Sequence, residues 1–196
     1  MHISDDIVML EPLDRSQAGE FSRLYSENEE FLAPFSPIFV PEVFSAEGQD
    51  FLLSRSEQLW REDRDYGFAI RLGDTGPLVG RITLSNVVRG AWESCTLGYW
   101  VSKAYNRKGL ATRAVRLVAK AAFCQFRLHR IQAAIMPRNS ASLRVIHKAG
   151  FVYEGYAPKY LRINGQWEDH KIYSLTREIW DKREGESKNM DRTFDV

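Results

Sequence analysis

The chain predicts an α/β (α+β) fold: a mixed, mostly antiparallel central sheet with one parallel pair, and helices on both faces. Three observations carry that expectation. Residues 96–125, TLGYWVSKAYNRKGLATRAVRLVAKAAFCQ, read as a strand, a basic loop and a helix. Alternating runs ahead of that unit read as an antiparallel meander feeding into it. Behind it come a further strand, a short helix and a long hairpin centred on Asn164-Gly165. A chain of 196 residues suits one domain with a proper core. Residues 1–180 are expected to form that domain. Residues 181–196 are expected to be a polar tail that frays, with Phe194 as its candidate contact to a neighbour.

In chain order, Ile7-Val8-Met9-Leu10 is a first strand, ended by Pro12. Asp14 with Gln17 three residues later is an N-terminal capping pattern, and Phe21, Leu24 and Tyr25 form the apolar side of a first helix. Residues 28–41 hold Phe31, Leu32, Phe35, Phe39 and three prolines, which argues against regular helix. That segment is either an apolar wall beside an acceptor cleft or plain cover for the core. Ser45 opens a second helix with Phe51, Leu52, Leu59 and Trp60. Residues 66–72 and 78–88 alternate as strands around the turn Asp74-Thr75-Gly76-Pro77. After the central strand and helix, 129–135 is expected to lie parallel to the central strand through a right-handed crossover. Asn139 stands at an N-cap with Ser142 at N3, Leu143, Ile146 and Ala149 make a short helix, and Gly150 stops it.

Composition excludes several function classes. Lys and Arg total 27 against 26 Asp and Glu, so no basic surface for direct nucleic-acid binding is expected. No apolar run reaches the ~20 residues of a membrane span, and Met1-His2-Ile3-Ser4-Asp5-Asp6 is not a signal peptide. Cys95 and Cys124 lack CxxC spacing and read as reduced thiols of a cytoplasmic protein. His129, His147 and His170 show no metal-ligand spacing, so no metal is expected.

The central unit carries the chemistry. Leu97, Tyr99 and Val101 alternate with Gly98, Trp100 and Ser102, then Asn106-Arg107-Lys108-Gly109-Leu110-Ala111-Thr112 leads into an amphipathic helix. The first N–H groups of a helix lack internal partners and sit at the positive end of its dipole. Gly109 lets a phosphate approach the main chain, and Arg107 and Lys108 add charge. The loop is therefore a candidate phosphate or pyrophosphate cradle, though neither GxxxxGK[ST] nor GxGxxG is present. An ordinary strand-to-helix connection with a glycine in the turn is the alternative.

This stretch resembles the acyl-CoA loop [QR]xxGx[GA] of the GCN-five-related N-acetyltransferases (GNAT), with Asn106 standing where that family has Gln or Arg. Asn139-x-x-Ser142 followed by Lys148-Ala149-Gly150-Phe151 resembles the family's second block. The C-terminal hairpin and Ser85-Asn86-Val87-Val88-Arg89-Gly90 resemble the Rim branch, the ribosomal-protein-alanine N-acetyltransferases, and within it the RimJ-like subgroup. The likeness covers roughly residues 5–180.

The resemblance implies acetyl-CoA as co-substrate and the GNAT fold, with the parallel strands splayed at the acyl-CoA site. It implies that the N–H groups from Arg107 to Thr112 hold the pyrophosphate, Gly109 and Ala111 closest. It implies that Tyr99, Trp100 and Val101 line the pantetheine, with Asn139 as a cap or a pantetheine contact. Ile146 stands where many relatives have a catalytic tyrosine, and the Rim branch implies Ser142 as the donor to the leaving thiolate; otherwise Ser142 only supports its helix. Glu93 is the candidate base, with Glu154 and Asp169 as alternatives, each also readable as a surface or salt-bridged acid. The expected acceptor is the N-terminal α-amine of a protein, the alanine of a small-subunit ribosomal protein. A small-molecule amine, or a non-catalytic module binding CoA or the ribosome, are the competing readings. The protein is expected as a monomer or homodimer.

Overall fold

The computed structural model describes residues 2–192, with side chains for residues 2–185. One eight-stranded sheet runs through it: β1 (Ile3–Ser4), β2 (Val8–Pro12), β3 (Tyr66–Leu72), β4 (Leu78–Val88), β5 (Ser94–Val101), β6 (Arg130–Ile135), β7 (Val152–Ile163) and β8 (Gln166–Thr176). The spatial order is β1-β2-β3-β4-β5-β6-β8-β7. Every neighbouring pair is antiparallel except β5 and β6. The Asn164-Gly165 turn has φ of 43° and 79°, the left-handed pair a two-residue hairpin needs.

Helices α1 (Ala18–Leu32) and α2 (Ala46–Arg61) cover one face, burying Phe21, Leu24, Tyr25 and Leu53 against Ala69 and Leu78. Helices α3 (Leu110–Cys124) and α4 (Ser140–Ala149) cover the other, burying Val115, Val118, Phe123 and Ile146 against Phe68, Ile70, Ile82 and Ile131. The caps expected at these helices form. Asp14 Oδ1 accepts from Ser16 N at 2.8 Å while Gln17 Oε1 accepts from Asp14 N at 3.1 Å. Ser45 Oγ accepts from Gly48 N at 3.0 Å, and Gly150 closes α4 at φ 94°.

Three features differ from the sequence reading. β1 is a two-residue strand, too short to show a period of two. The first helix does not stop before Asn28 but runs to Leu32, and the segment behind it forms two 3₁₀ turns, Ala33–Phe35 and Pro41–Phe44. Pro34 is the second residue of its turn and Pro41 the first of the other, where the missing N–H has no internal partner to lose. The polar tail is helix: α5 spans Arg177–Arg192, so a boundary at residue 180 falls inside it. Arg177 pairs with Asp181 one turn on at 2.9 Å and donates to Phe123 O at 2.8 Å. Trp180 packs on Phe123 at 5.5 Å between ring centroids. Phe194 lies outside the described residues.

Candidate active site

The site is built where β5 and β6 part. Their pairing comprises Ser94↔Arg130, Cys95↔Ile131 and Thr96↔Gln132 and then ends, although β5 runs on to Val101 and β6 to Ile135. Among the described residues, β6 pairs only with β8 from Ala133 to Ile135. Polar backbone groups alternate along a strand. Ser102 N donates to Val79 O at 2.8 Å, so Gly98, Trp100 and Ser102 turn their groups to β4. The carbonyl of Leu97, both groups of Tyr99 and the N–H of Val101 therefore face the gap.

Two contacts hold the far end of β5 away from β6. A Cβ at Gly80 would lie 2.2 Å from Trp100 O, so the glycine lets β4 and β5 approach closely there. Asn28, only 2 % exposed on α1, accepts from Lys103 N at 2.8 Å and donates to Leu24 O at 2.8 Å. Its carboxamide fastens the end of β5 to α1.

Beyond β5 the chain makes a 3₁₀ turn over Lys103–Tyr105 and enters α3 through Arg107 at φ 63° and Gly109 at φ 78°. Gly109 is the N-cap and gives no side-chain cap. The first helix bond is Arg113 N to Gly109 O at 3.1 Å, which leaves the N–H groups of Leu110, Ala111 and Thr112 without protein partners among the described residues. A Cβ at Gly109 would meet nothing within 4 Å, so the space over the loop is open. Lys108 Nζ stands 5.1 Å from the Tyr105 ring centroid. Arg113 turns away to Asp5 (2.9 Å) and Asp6 (2.7 Å). Open donors, positive dipole and exposed Arg107 and Lys108 suit a diphosphate, and the adjoining gap suits the amides of a pantetheine arm.

Ser142 borders the gap from the α3–α4 face. Asn139 Oδ1 accepts from Ser142 N at 3.1 Å, the expected cap. Ser142 Oγ lies 2.7 Å from Tyr99 Oη. The sequence assigns Tyr99 to the pantetheine lining and gives its phenol no separate role. The signal was available: alternation sets Tyr99 on the same face as Leu97 and Val101, toward the second block.

Glu93 is exposed at the start of β5, and about 3.3 Å per residue over the steps to Tyr99 puts it roughly 20 Å from the open end of the strand. Its carbonyl accepts from His129 N at 2.7 Å and from Arg130 N at 3.1 Å. Glu154 is bound by both Arg130 Nη atoms and by Ser174 Oγ at 2.6 Å. The Arg130 guanidinium holds its carboxyl below the usual range. Hydrogen bonds from Tyr156 Oη (2.5 Å) and Lys159 N (2.9 Å) do the same for Asp169. Both are anchored acids. Among the histidines, His129 faces Glu178 at 2.9 Å, His147 is exposed on α4, and buried His170 sets Nδ1 3.0 Å from Glu168 O.

On the opposite face, Gly98 is exposed with nothing near its absent Cβ, and Trp100 beside it packs on Tyr25 at 4.8 Å. This floor lies between the end of α1 and the β7–β8 hairpin. Asn164 N donates to Ser36 O at 2.9 Å, and Arg138 joins Glu168 (2.6 Å) to Pro34 O (3.0 Å), so hairpin and 3₁₀ segment meet at one end.

An open strand pair beside a helix N-terminus with free N–H groups fits an acetyl-CoA-dependent N-acetyltransferase. A model of the acetyltransferase (GNAT) domain family matches residues 8–152, and the chain belongs to that family. It is 40% identical over 168 residues to the Probable N-acetyltransferase YjcK of Bacillus subtilis (strain 168), covering 86% of this chain and 93% of that protein. It is 29% identical over 180 residues to the [Ribosomal protein uS5]-alanine N-acetyltransferase of Escherichia coli (strain K12), covering 92% and 93%. Among solved structures, the ribosomal-protein-S5-alanine acetyltransferase from Vibrio fischeri superposes with a TM-score of 0.86 at 30% identity, covering 92% of this chain and 98% of that one. Mycobacterium smegmatis RimJ in complex with CoA-disulfide gives 0.83 at 31%, covering 87% and 82%. These relatives support the Rim branch. The reading as a module without catalysis is set aside by the same findings. No helix among the described residues is long and apolar enough to cross a membrane.

Proposed function

We propose that this acetyltransferase modifies the N-terminal α-amine of a protein, and that its acceptor is the N-terminal alanine of a small-subunit ribosomal protein. The observation that carries the reading is the parting of β5 and β6 after Thr96 and Gln132, beside an exposed floor at Gly98. An acyl group held in the gap is reachable from that floor by an extended chain end. Similarity to two proteins named ribosomal-protein alanine acetyltransferases, at 29% and 30% identity, supports the choice of acceptor.

In this reading the amides from Arg107 to Thr112 hold the diphosphate, and Asn139 sets the start of α4 at the pantetheine. The polar groups of Tyr99 and Val101 pair with the pantetheine amides, with Trp100 beside them. Ser142 donates to the departing thiolate. No strong base is required, because an α-amine with pKa near ~8 is roughly one-fifth neutral at pH 7.4. One observation favours a second reading: the Asn164–Ser36 bond closes one end of the floor, as a pocket for a small amine requires. Acetylation of peptides beginning Ala-, Ser- and Met-, beside small amines, read by mass spectrometry, decides. Preference for the Ala- peptide supports the proposal; turnover of small amines alone overturns it.

A further inference from the structure

We propose that Tyr99 is a positioning residue for acetyl transfer: its phenol donates to Ser142 Oγ and so turns the Ser142 hydroxyl hydrogen into the gap between β5 and β6. The inference rests on the role proposed above for Ser142.

The geometry poses a choice of hydrogens. Tyr99 Oη lies 2.7 Å from Ser142 Oγ and 3.3 Å from the carbonyl oxygen of the same residue. The first is the usual separation for O–H···O, the second is long. Ser142 Oγ has no other protein partner among the described residues, and the N–H of Ser142 is already committed to Asn139. Two arrangements are open. In one, the phenol donates to Oγ and the serine hydrogen is free to reach the gap. In the other, the serine hydrogen is spent on Tyr99 while the phenol hydrogen stretches to the carbonyl. The first makes the shorter bond and keeps a donor for a ligand. Burial raises the phenol's pKa, so Tyr99 keeps its hydrogen through neutral pH. Because Ser142 is fixed through its backbone and Tyr99 through the core, the pair is oriented before any ligand arrives.

The chemistry that profits is the departure of sulfur. As the carbon–nitrogen bond forms, the carbon–sulfur bond breaks and its electron pair passes to sulfur. A serine hydrogen aimed there meets that charge as it develops. The proton released by the attacking nitrogen completes the free thiol, and both hydroxyls end as they began. With phenylalanine at 99 the serine hydrogen loses its direction but not its presence.

The test compares Tyr99→Phe, Ser142→Ala and the double variant. Ring ¹³C NMR of the free protein, with Tyr99 assigned by its loss in Tyr99→Phe, reads the pair without turnover. Ser142→Ala is expected to move the Tyr99 signal in the absence of CoA. In kinetics with acetyl-CoA and an alanyl peptide, Tyr99→Phe is expected to lower kcat about tenfold, with KM for acetyl-CoA within about twofold. It should cost nothing further on top of Ser142→Ala. An unmoved Tyr99 signal, wild-type kcat in Tyr99→Phe, or the same loss with and without Ser142 overturns the proposal. A fall in Ser142→Ala with Tyr99→Phe at the wild-type rate ends the Tyr99 proposal alone. Wild-type kcat in Ser142→Ala ends the leaving-group reading as well.

Discussion

Thr96 of β5 and Gln132 of β6 are the last parallel partners in the sheet among the described residues, and past them the two strands part. A fully paired sheet would have no backbone donors to spare at its centre. This one keeps Tyr99 and Val101 open because β5 stays with β4 and α1 while β6 stays with β8.

Gly109 combines a φ of 78° with open space above it. Gly109→Ala is expected to strain the loop by about 1–2 kcal/mol. Gly109→Val adds bulk where the diphosphate rests, and should weaken CoA at least about tenfold by calorimetry, with a matching rise in KM for acetyl-CoA. Unchanged CoA affinity in Gly109→Val would count against the cradle.

Asn28→Ala removes the partner of Lys103 N–H in a buried place. Denaturant unfolding should show a loss of about 1–3 kcal/mol. The end of β5 should loosen too, so CoA binds more weakly than in a surface variant of equal stability cost. Loss of stability with unaltered CoA binding would separate α1 from the gap.

Glu93→Gln should leave kcat within about twofold, since the side chain stands roughly 20 Å from the open end of β5. The pH profile of kcat/KM should instead follow the acceptor amine, rising toward a plateau above its pKa of ~8. A limb that vanished in Glu93→Gln would restore that carboxylate to the mechanism.

Glu154 offers a check on stability against pH. Its folded pKa is depressed by Arg130, so its contribution is fully present above the unfolded value of 4.5 and is lost as pH falls through the lower folded value. Glu154→Gln should therefore unfold more readily than wild type at pH 7, and the difference should close in unfolding curves taken progressively below pH 4.5.

Local chemistry was readable where it was strong. The caps at Asp14, Ser45 and Asn139, the left-handed Gly109 and the Asn164-Gly165 turn each depend on a few adjacent residues, and each stands where its residue type requires. What escaped depends on distance in the chain. Glu93 precedes the central strand, and a linear reading does not show that this end of β5 lies away from the gap. The first turn of α5 is tied to the core by Trp180 on Phe123 and Arg177 on the Phe123 carbonyl, which polar composition does not reveal. Asn28 within a helix, holding a strand that follows some seventy residues later, left no periodic trace.

Residue-resolved amide exchange by NMR, with and without saturating CoA, tests the central claim most directly. The account predicts that the amides of Tyr99, Val101 and Leu110 to Thr112 slow when CoA is added. Those of Gly98 and Trp100, already bonded to β4, should exchange as before. Exchange at Tyr99 and Val101 that CoA leaves untouched, or protection appearing on another face of the sheet, would contradict it.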